Sequence, residues 1–227
     1  MSNDVARILG ILEVEEREAI FFQDSQGNGY VNFINDNQKV TLALESVELK
    51  YHIINEFDDE FGDAPSDASI KKAIRILNAR SYRQGNIFEP DFRVRSIVSS
   101  VRNCIEYDFG RPDRLVCIIT AEGWELGASQ GYFIKQQSML EQGLPVALAA
   151  DETPSMVLQE FKTLCNLNDE QFLLMMVFIL ACFRPGAPFP IGILQGEQGS
   201  RKSTISMFIK GVVDPNLAPI NTLPKTE

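Results

Sequence analysis

The sequence has one histidine, His52, and four cysteines, Cys104, Cys117, Cys165 and Cys182, far apart and with no C-x-x-C pair. No zinc site can be assembled from that spacing. Scattered reduced thiols are the default of a cytosolic chain, so the four read as apolar packing or strand residues. Long apolar runs are missing too. The longest, Phe172–Phe183, has 12 residues, whereas a helix needs about 20 to cross a bilayer. It reads as a buried core helix, and no membrane partner is expected. Met1 to Ile20 carries acidic residues where a secretory signal would be basic and then apolar, so the expected location is cytoplasmic.

What is present is the composition of an ordinary folded protein: 227 residues, 44% hydrophobic and 23% charged. That length suffices for one large domain or two small ones. The net charge of −10 is unevenly spread. Residues 1–65 hold 4 basic and 14 acidic side chains, residues 66–105 hold 8 and 3, and residues 106–227 hold 9 and 14. The molecule is acidic, but its middle is basic.

From Val5 to Val47, short apolar runs alternate with turn signals. Ala19–Phe22 and Tyr30–Ile34 flank Asp24–Gly29 and predict a hairpin, with further strand at Lys39–Leu44 and a turn at Asn35–Asn37. Glu56–Asp63 lacks the ligand spacing of a calcium loop and reads as a solvated acidic loop leading to a linker at Asp63–Ser66. Ser66 or Asp67 can cap a helix from Ala68 to Arg80, with Ile70, Ala73, Ile74 and Leu77 on one face. Its cations, Lys71, Lys72, Arg75 and Arg80, with Arg83, Arg93, Arg95 and Arg102, make the candidate nucleic-acid surface, and Tyr82, Phe88 and Phe92 could stack on bases. The alternative is a solvated helix face plus strand residues paired with acids.

Strands follow at Phe92–Val98, Cys104–Tyr107 and Arg114–Thr120, then a turn at Ala121–Gly123 into Trp124–Leu126. Thr153 or Ser155 can cap a helix to Leu164, and Asn168 or Asp169 another to Phe183.

The chain is organised around Gly196-Glu197-Gln198-Gly199-Ser200-Arg201-Lys202-Ser203-Thr204. The motif follows a strand candidate, Phe189–Gln195, and precedes a helix candidate, Ile205–Lys210, the context of a phosphate-binding P-loop. A loop low in side-chain bulk lets backbone N–H groups converge on phosphate, and the helix N-terminus adds its unpaired donors. Lys202 is the candidate catalytic residue, reaching the β- and γ-phosphates, and Ser203 the candidate magnesium ligand, ahead of Thr204. The position that the G-x-x-x-x-G-K-[ST] pattern gives to its second glycine is Arg201. Apolar strands ending at Glu122 or Asp151 precede the loop, whereas a Walker B strand follows it, so neither is assigned a catalytic role.

At Phe189–Ser203, with Val213–Asn216 and Leu223–Lys225, the sequence resembles the ATP-binding primase/helicase-like P-loop proteins of bacteria, bacteriophages and mobile elements. Ile118–Leu126 and Leu158–Phe183 are similar as well, so the resemblance spans about residues 66–227 and leaves residues 1–65 unmatched. It carries Gly196, Gly199, Lys202, Ser203 and Thr204 over as the phosphate and magnesium cradle, and departs at Arg201, a position often small in such proteins. It implies ATP and Mg2+ as cofactors, DNA as a partner in replication, and a homo-oligomer supplying an arginine finger in trans.

The expected fold is therefore α/β: an acidic, β-rich N-terminal region (1–65), an α+β domain with a basic helix (66–150), and the first strand–P-loop–helix unit of an NTPase (151–227). The resemblance implies that Walker B lies further on, so the chain is expected to be the N-terminal part of a longer protein, not competent for hydrolysis alone. The alternative is a non-catalytic DNA- or protein-binding assembly module with a degenerate P-loop. A small-molecule kinase is the least favoured reading.

Overall fold

The computed structural model describes residues 3–13, 18–35, 38–98, 103–184, 188 and 190–218. Among these are six helices and seven strands, the strands forming two antiparallel sheets, a mixed α and β architecture. The chain divides into two compact units, Met1–Phe92 with Gly127–Ile134, and Arg93–Leu126 with Lys135–Glu227.

The first unit contains α1 (Asn3–Leu12), β1 (Ile20–Gln23), β2 (Gly29–Asn35), β3 (Gln38–Ala43), α2 (Val47–Phe61) and α3 (Asp67–Gln84). The three strands form a meander in which Phe21 pairs with Val31 and Val31 with Leu42. The β1–β2 turn is built by Asp24, whose carboxylate accepts from the N–H groups of Gln26 (3.0 Å) and Asn28 (2.8 Å), the local bonding that makes aspartate a turn former. At Gly29 the backbone runs against α3: an added Cβ would lie 1.9 Å from Asn78 Oδ1 and 2.8 Å from Leu44 Cδ1, so a larger residue would have to displace both side chains. Helix starts follow their capping signals, with Ser46 accepting from the Leu49 N–H (3.2 Å) and Ser66 from the Ser69 N–H (3.1 Å). The core joins Val5, Ile8 and Leu12 of α1, Val31 and Phe33 of β2, Leu49, Ile53 and Phe57 of α2, and Ile70, Ala73 and Leu77 of α3.

Two helices stand where the sequence reading had none. Asn3–Leu12 is α1, not the start of an alternating β segment. Glu56–Phe61 is the last part of α2, not an acidic loop. Leu49, Ile53 and Phe57 recur every four residues and are buried, while Asp58, Asp59 and Glu60 are exposed. With Ile54 and Phe61 packed beside them, Leu49, Ile53 and Phe57 make the apolar stripe that seats a helix, and the acids that suggested a loop are its wet side. Of the turn expected at Asn35–Asn37, Asn35 ends β2 and residues 36–37 lie outside the described residues.

The second unit contains β4 (Val94–Val98), β5 (Asn103–Asp108), β6 (Leu115–Ile119) and the first residues of β7 (Trp124–Ala128), adjacent in that order. Val94 faces Tyr107, and Tyr107 faces Cys117. Three helices follow: α4 (Pro154–Cys165), capped by Thr153; α5 (Asp169–Cys182), opened by a capping box of Asn168 and Gln171; and α6 (Lys202–Val213). Cys165, Met175, Ile179 and Ile205 make their shared core. Cys104, Cys117 and Cys165 are buried thiols and Cys182 is half-buried.

Two expectations fail in this unit. The strand candidate Phe189–Gln195 is not a strand over its described residues, 190–195: they join no sheet, and Ile191 and Ile193 are 89% and 75% exposed. A strand exists only as one half of a hydrogen-bonded pair, and among the described residues nothing lies beside it to pair with. Phe189 lies outside the described residues. The apolar run Phe172–Phe183 is not a buried core helix either. Met175 and Ile179 are buried, but Leu173, Leu174, Val177 and Leu180 are 55–70% exposed. Apolar composition sets how much a helix could bury; only a facing element makes it do so. No single described helix is long and apolar enough to cross a membrane, and the α4–α5 pair bends by 105°.

Candidate functional site

The loop before α6 is shaped by three close constraints. Gly196 carries a hydrogen where a Cβ would stand 2.7 Å from Ser200 Oγ. Gly199 has φ 86, and Arg201 has φ 59 and ψ 19, the left-handed region that favours glycine. The position where the P-loop pattern calls for its second glycine therefore adopts a backbone conformation suited to glycine, while holding an arginine whose side chain is exposed. The Lys202 ammonium donates to Gly196 O (2.8 Å), Glu197 O (2.7 Å) and Ser200 Oγ (3.0 Å). It is thereby tied across the mouth of its own loop.

The N-terminus of α6 has no side-chain cap, so its first N–H groups and the positive end of its dipole face outward. Ser203 is exposed on that first turn and Thr204 is half-buried. Ile205, one residue on, is buried against α5 and fixes the helix. Glu197, Gln198 and Ser200 complete the exposed loop. Beside it, α5, residues 190–195 and α6 line a cleft of about 1280 Å³ that includes Leu174, Phe178, Ile193, Lys202 and Ser203.

Magnesium takes few protein ligands and keeps several waters, and the exposed Ser203 hydroxyl is a single oxygen of the type such an ion would take. Among the described residues there is no cluster of three or more His, Cys, Asp or Glu side chains that could hold a metal by itself.

The other end of α6 is clamped by residues that the sequence reading assigned elsewhere or missed. Arg93, placed among the nucleic-acid candidates, is 6% exposed. Its guanidinium donates to the Asp214 carboxylate (3.0 Å), Asp108 O (3.2 Å), Leu140 O (2.5 Å) and Pro215 O (3.0 Å). Tyr107 donates to Val213 O (2.9 Å) and Gln142 Nε2 to Val212 O (3.0 Å), so carbonyls of the last turn find donors. Burial raises the Asp214 carboxyl, but its bonds to Lys210 and Arg93 outweigh that and hold it below the usual carboxylate range. Burial pushes the Tyr107 phenol well up, with Arg93 opposing and Asp214 and Asp108 adding to the rise. Burial also raises Asp108, against the Gly110 N–H bond and Arg93. A lone arginine in an alternating strand gives no signal of this role; only the fold brings the four acceptors to it.

The other candidates on α3 and its neighbours lie in the first unit, and Arg95 and Arg102 belong to the second. Lys71, Lys72, Arg75 and Arg83 are exposed on α3, while Arg80 is half-buried and ion-paired with Glu13. Phe88 stacks on Tyr132 and meets Phe22 edge-on, whereas Tyr82 is 78% exposed. Arg95 is half-buried in β4, and Arg102 lies outside the described residues.

No family model, no curated protein and no solved structure matches the chain.

Proposed function

We propose that the chain is the ATP-binding P-loop module of a DNA primase/helicase-like protein, binding nucleotide with Mg2+ and not competent for hydrolysis alone. The observation that carries this reading is the Lys202 ammonium, held by two loop carbonyls and Ser200 Oγ at an uncapped helix N-terminus. The backbone bends there at Gly199 and Arg201. Phosphate oxygens would replace the carbonyls as partners of Lys202 and collect the free N–H groups of α6. Ser203 would hold the metal. Phosphoryl transfer further requires a group that positions the attacking water and commonly an arginine finger, for which a homo-oligomer is the proposed source.

The test is equilibrium binding of a fluorescent ATP analogue with Mg2+ to this chain and to Lys202→Ala. Saturable binding that the substitution abolishes is expected. A folded chain that binds no analogue sinks the reading. The second reading, a non-catalytic assembly module with a degenerate loop, is favoured by one observation: residues 190–195 have no strand beside them among the described residues. It predicts no analogue binding and no effect of Lys202→Ala.

A further inference from the structure

The outward face of α3 stands apart from the other described residues of the first unit. Ile70, Ala73, Leu77 and Ser81 form its buried side, turned toward α1 and β1. At 3.6 residues per turn the opposite side is made by positions 71, 72, 75, 79, 82 and 83. These are Lys71, Lys72, Arg75, Ala79, Tyr82 and Arg83, all exposed. None of the four cations has an ion-pair partner among the described residues. The helix has no acid after Asp67, which is paired with Lys50 (3.0 Å). That bond, with a smaller pull from Lys71, lowers the Asp67 carboxyl.

The contrast with the rest of the unit gives this face its meaning. Residues 1–65 carry 4 basic and 14 acidic side chains, so a polyanion is repelled by most of the unit and attracted at one stripe. The stripe from Lys71 to Arg83 runs about 18 Å at 1.5 Å per residue. Near its end stands Tyr82, 78% exposed, with a ring on which an unpaired base can lie. Cations that follow a phosphate backbone and an aromatic that takes a base are together the chemistry of single-strand recognition.

We propose that this face of α3 binds single-stranded nucleic acid, with Lys71, Lys72, Arg75 and Arg83 on phosphates and Tyr82 stacked on a base. Arg80 takes no part, being turned aside to Glu13. The site lies in the first unit and is independent of the nucleotide reading.

The experiment is fluorescence anisotropy of a labelled 20-nucleotide single strand of mixed sequence, and of the same sequence as duplex, with the full chain. Four phosphate contacts give a slope of log affinity against log salt of about −3. Replacing all four cations by alanine is expected to abolish binding, with folding checked by circular dichroism. Tyr82→Ala is expected to weaken single-strand binding about tenfold and to leave the salt slope unchanged, because it removes stacking and no charge. Arg80→Ala removes the same charge as Arg75→Ala but is expected to change affinity less than twofold. Three results overturn the proposal: no binding at low salt by the folded chain; equal losses in Arg80→Ala and Arg75→Ala, which means diffuse attraction; or tighter binding of duplex with Tyr82→Ala silent. Nucleotide titration of the same preparations keeps the two readings apart, since a chain that binds the strand but no ATP analogue sinks only the P-loop reading.

Discussion

The two units treat apolar side chains in opposite ways. In the first, α1, α2 and α3 each send a stripe into one core with β2, and Val5, Ile8, Leu49, Ile53 and Leu77 have no exposed surface. In the second, α4, α5 and α6 share four buried residues, while Leu173, Leu174, Val177, Leu180, Ile191 and Ile193 stand in solvent. The helices of both units are well formed and mostly well capped. Local signals thus suffice to make a helix in either setting, and the difference lies in whether another element faces it. The second unit adds a small apolar cluster of Tyr107, Phe109 and Cys117 and a polar tie, Arg93, which joins β5, the Leu140 segment and the end of α6.

The largest expected effect tests that contrast. Phe57→Ala empties a site that is 1% exposed and is expected to cost about 3–5 kcal/mol, whereas Leu174→Ala, at 70% exposed, should fall within about 0.5 kcal/mol. Urea unfolding of the two variants measures both. A large loss in Leu174→Ala would break the comparison, because it would mean that the outer face of α5 is covered in solution.

Next comes Arg93→Ala. It takes one donor from the Asp214 carboxylate, which keeps Lys210, and from Pro215 O, which keeps the Leu140 N–H, and removes the guanidinium bonds to Asp108 O and Leu140 O, so a loss of about 1–3 kcal/mol is expected. The loss should appear in the transition of the second unit and not of the first. Hydrogen exchange of α6 against α1 separates the two, and uniform loosening of both would argue against a local clamp.

Arg201→Gly is expected to stabilise by about 1 kcal/mol, because an arginine held at φ 59 gives up conformational strain that glycine does not carry. The same change should strengthen binding of the ATP analogue. If stability rises and binding does not, the loop's shape and its affinity are separate matters.

The smallest effect is pH dependence in the β1–β2 turn. Partial burial raises the Asp24 carboxyl, but bonds from Asn28, Tyr30 and Gln26 outweigh it and leave Asp24 below its ordinary value. Its stabilising contribution is therefore present above pH 4 and is lost as pH falls through the lowered value. Tyr30 is pushed up to about 12, by burial first and then by its bond to Asp24, so its contribution is full below pH 10 and is lost as pH rises toward 12. Asp24→Asn should flatten the acid side and return Tyr30 toward its ordinary value, both readable by ultraviolet titration and thermal melts across pH.

Legibility followed the range of the interaction. The helix expected at Ala68–Arg80 was readable because Ser66 and the apolar spacing lie within one element, although it runs on to Gln84, where Gly85 ends it. The same holds for the caps Thr153 and Asn168, and for the strands from Phe92 to Thr120. α2 was not readable, since the acids of Glu56–Asp63 draw the eye away from the apolar stripe of Leu49, Ile53 and Phe57. In the candidate site, the loop residues 196–204 and the exposed cations of α3 were legible as a motif and a charge pattern. The separation of Arg80 and Arg93 from those cations was not.

By itself, then, the sequence determined where most elements begin and end, where charge concentrates, and which loop carries glycine, lysine and serine at phosphate-binding spacing. Capping, turn bonding and periodicity are contacts within a few residues. Tertiary structure alone decided that 190–195 joins no strand among the described residues, that α5 buries one stripe, that Arg93 is a buried clamp and that Arg80 faces Glu13. Those outcomes depend on which groups distant in the chain meet, and neither spacing nor composition encodes that meeting locally.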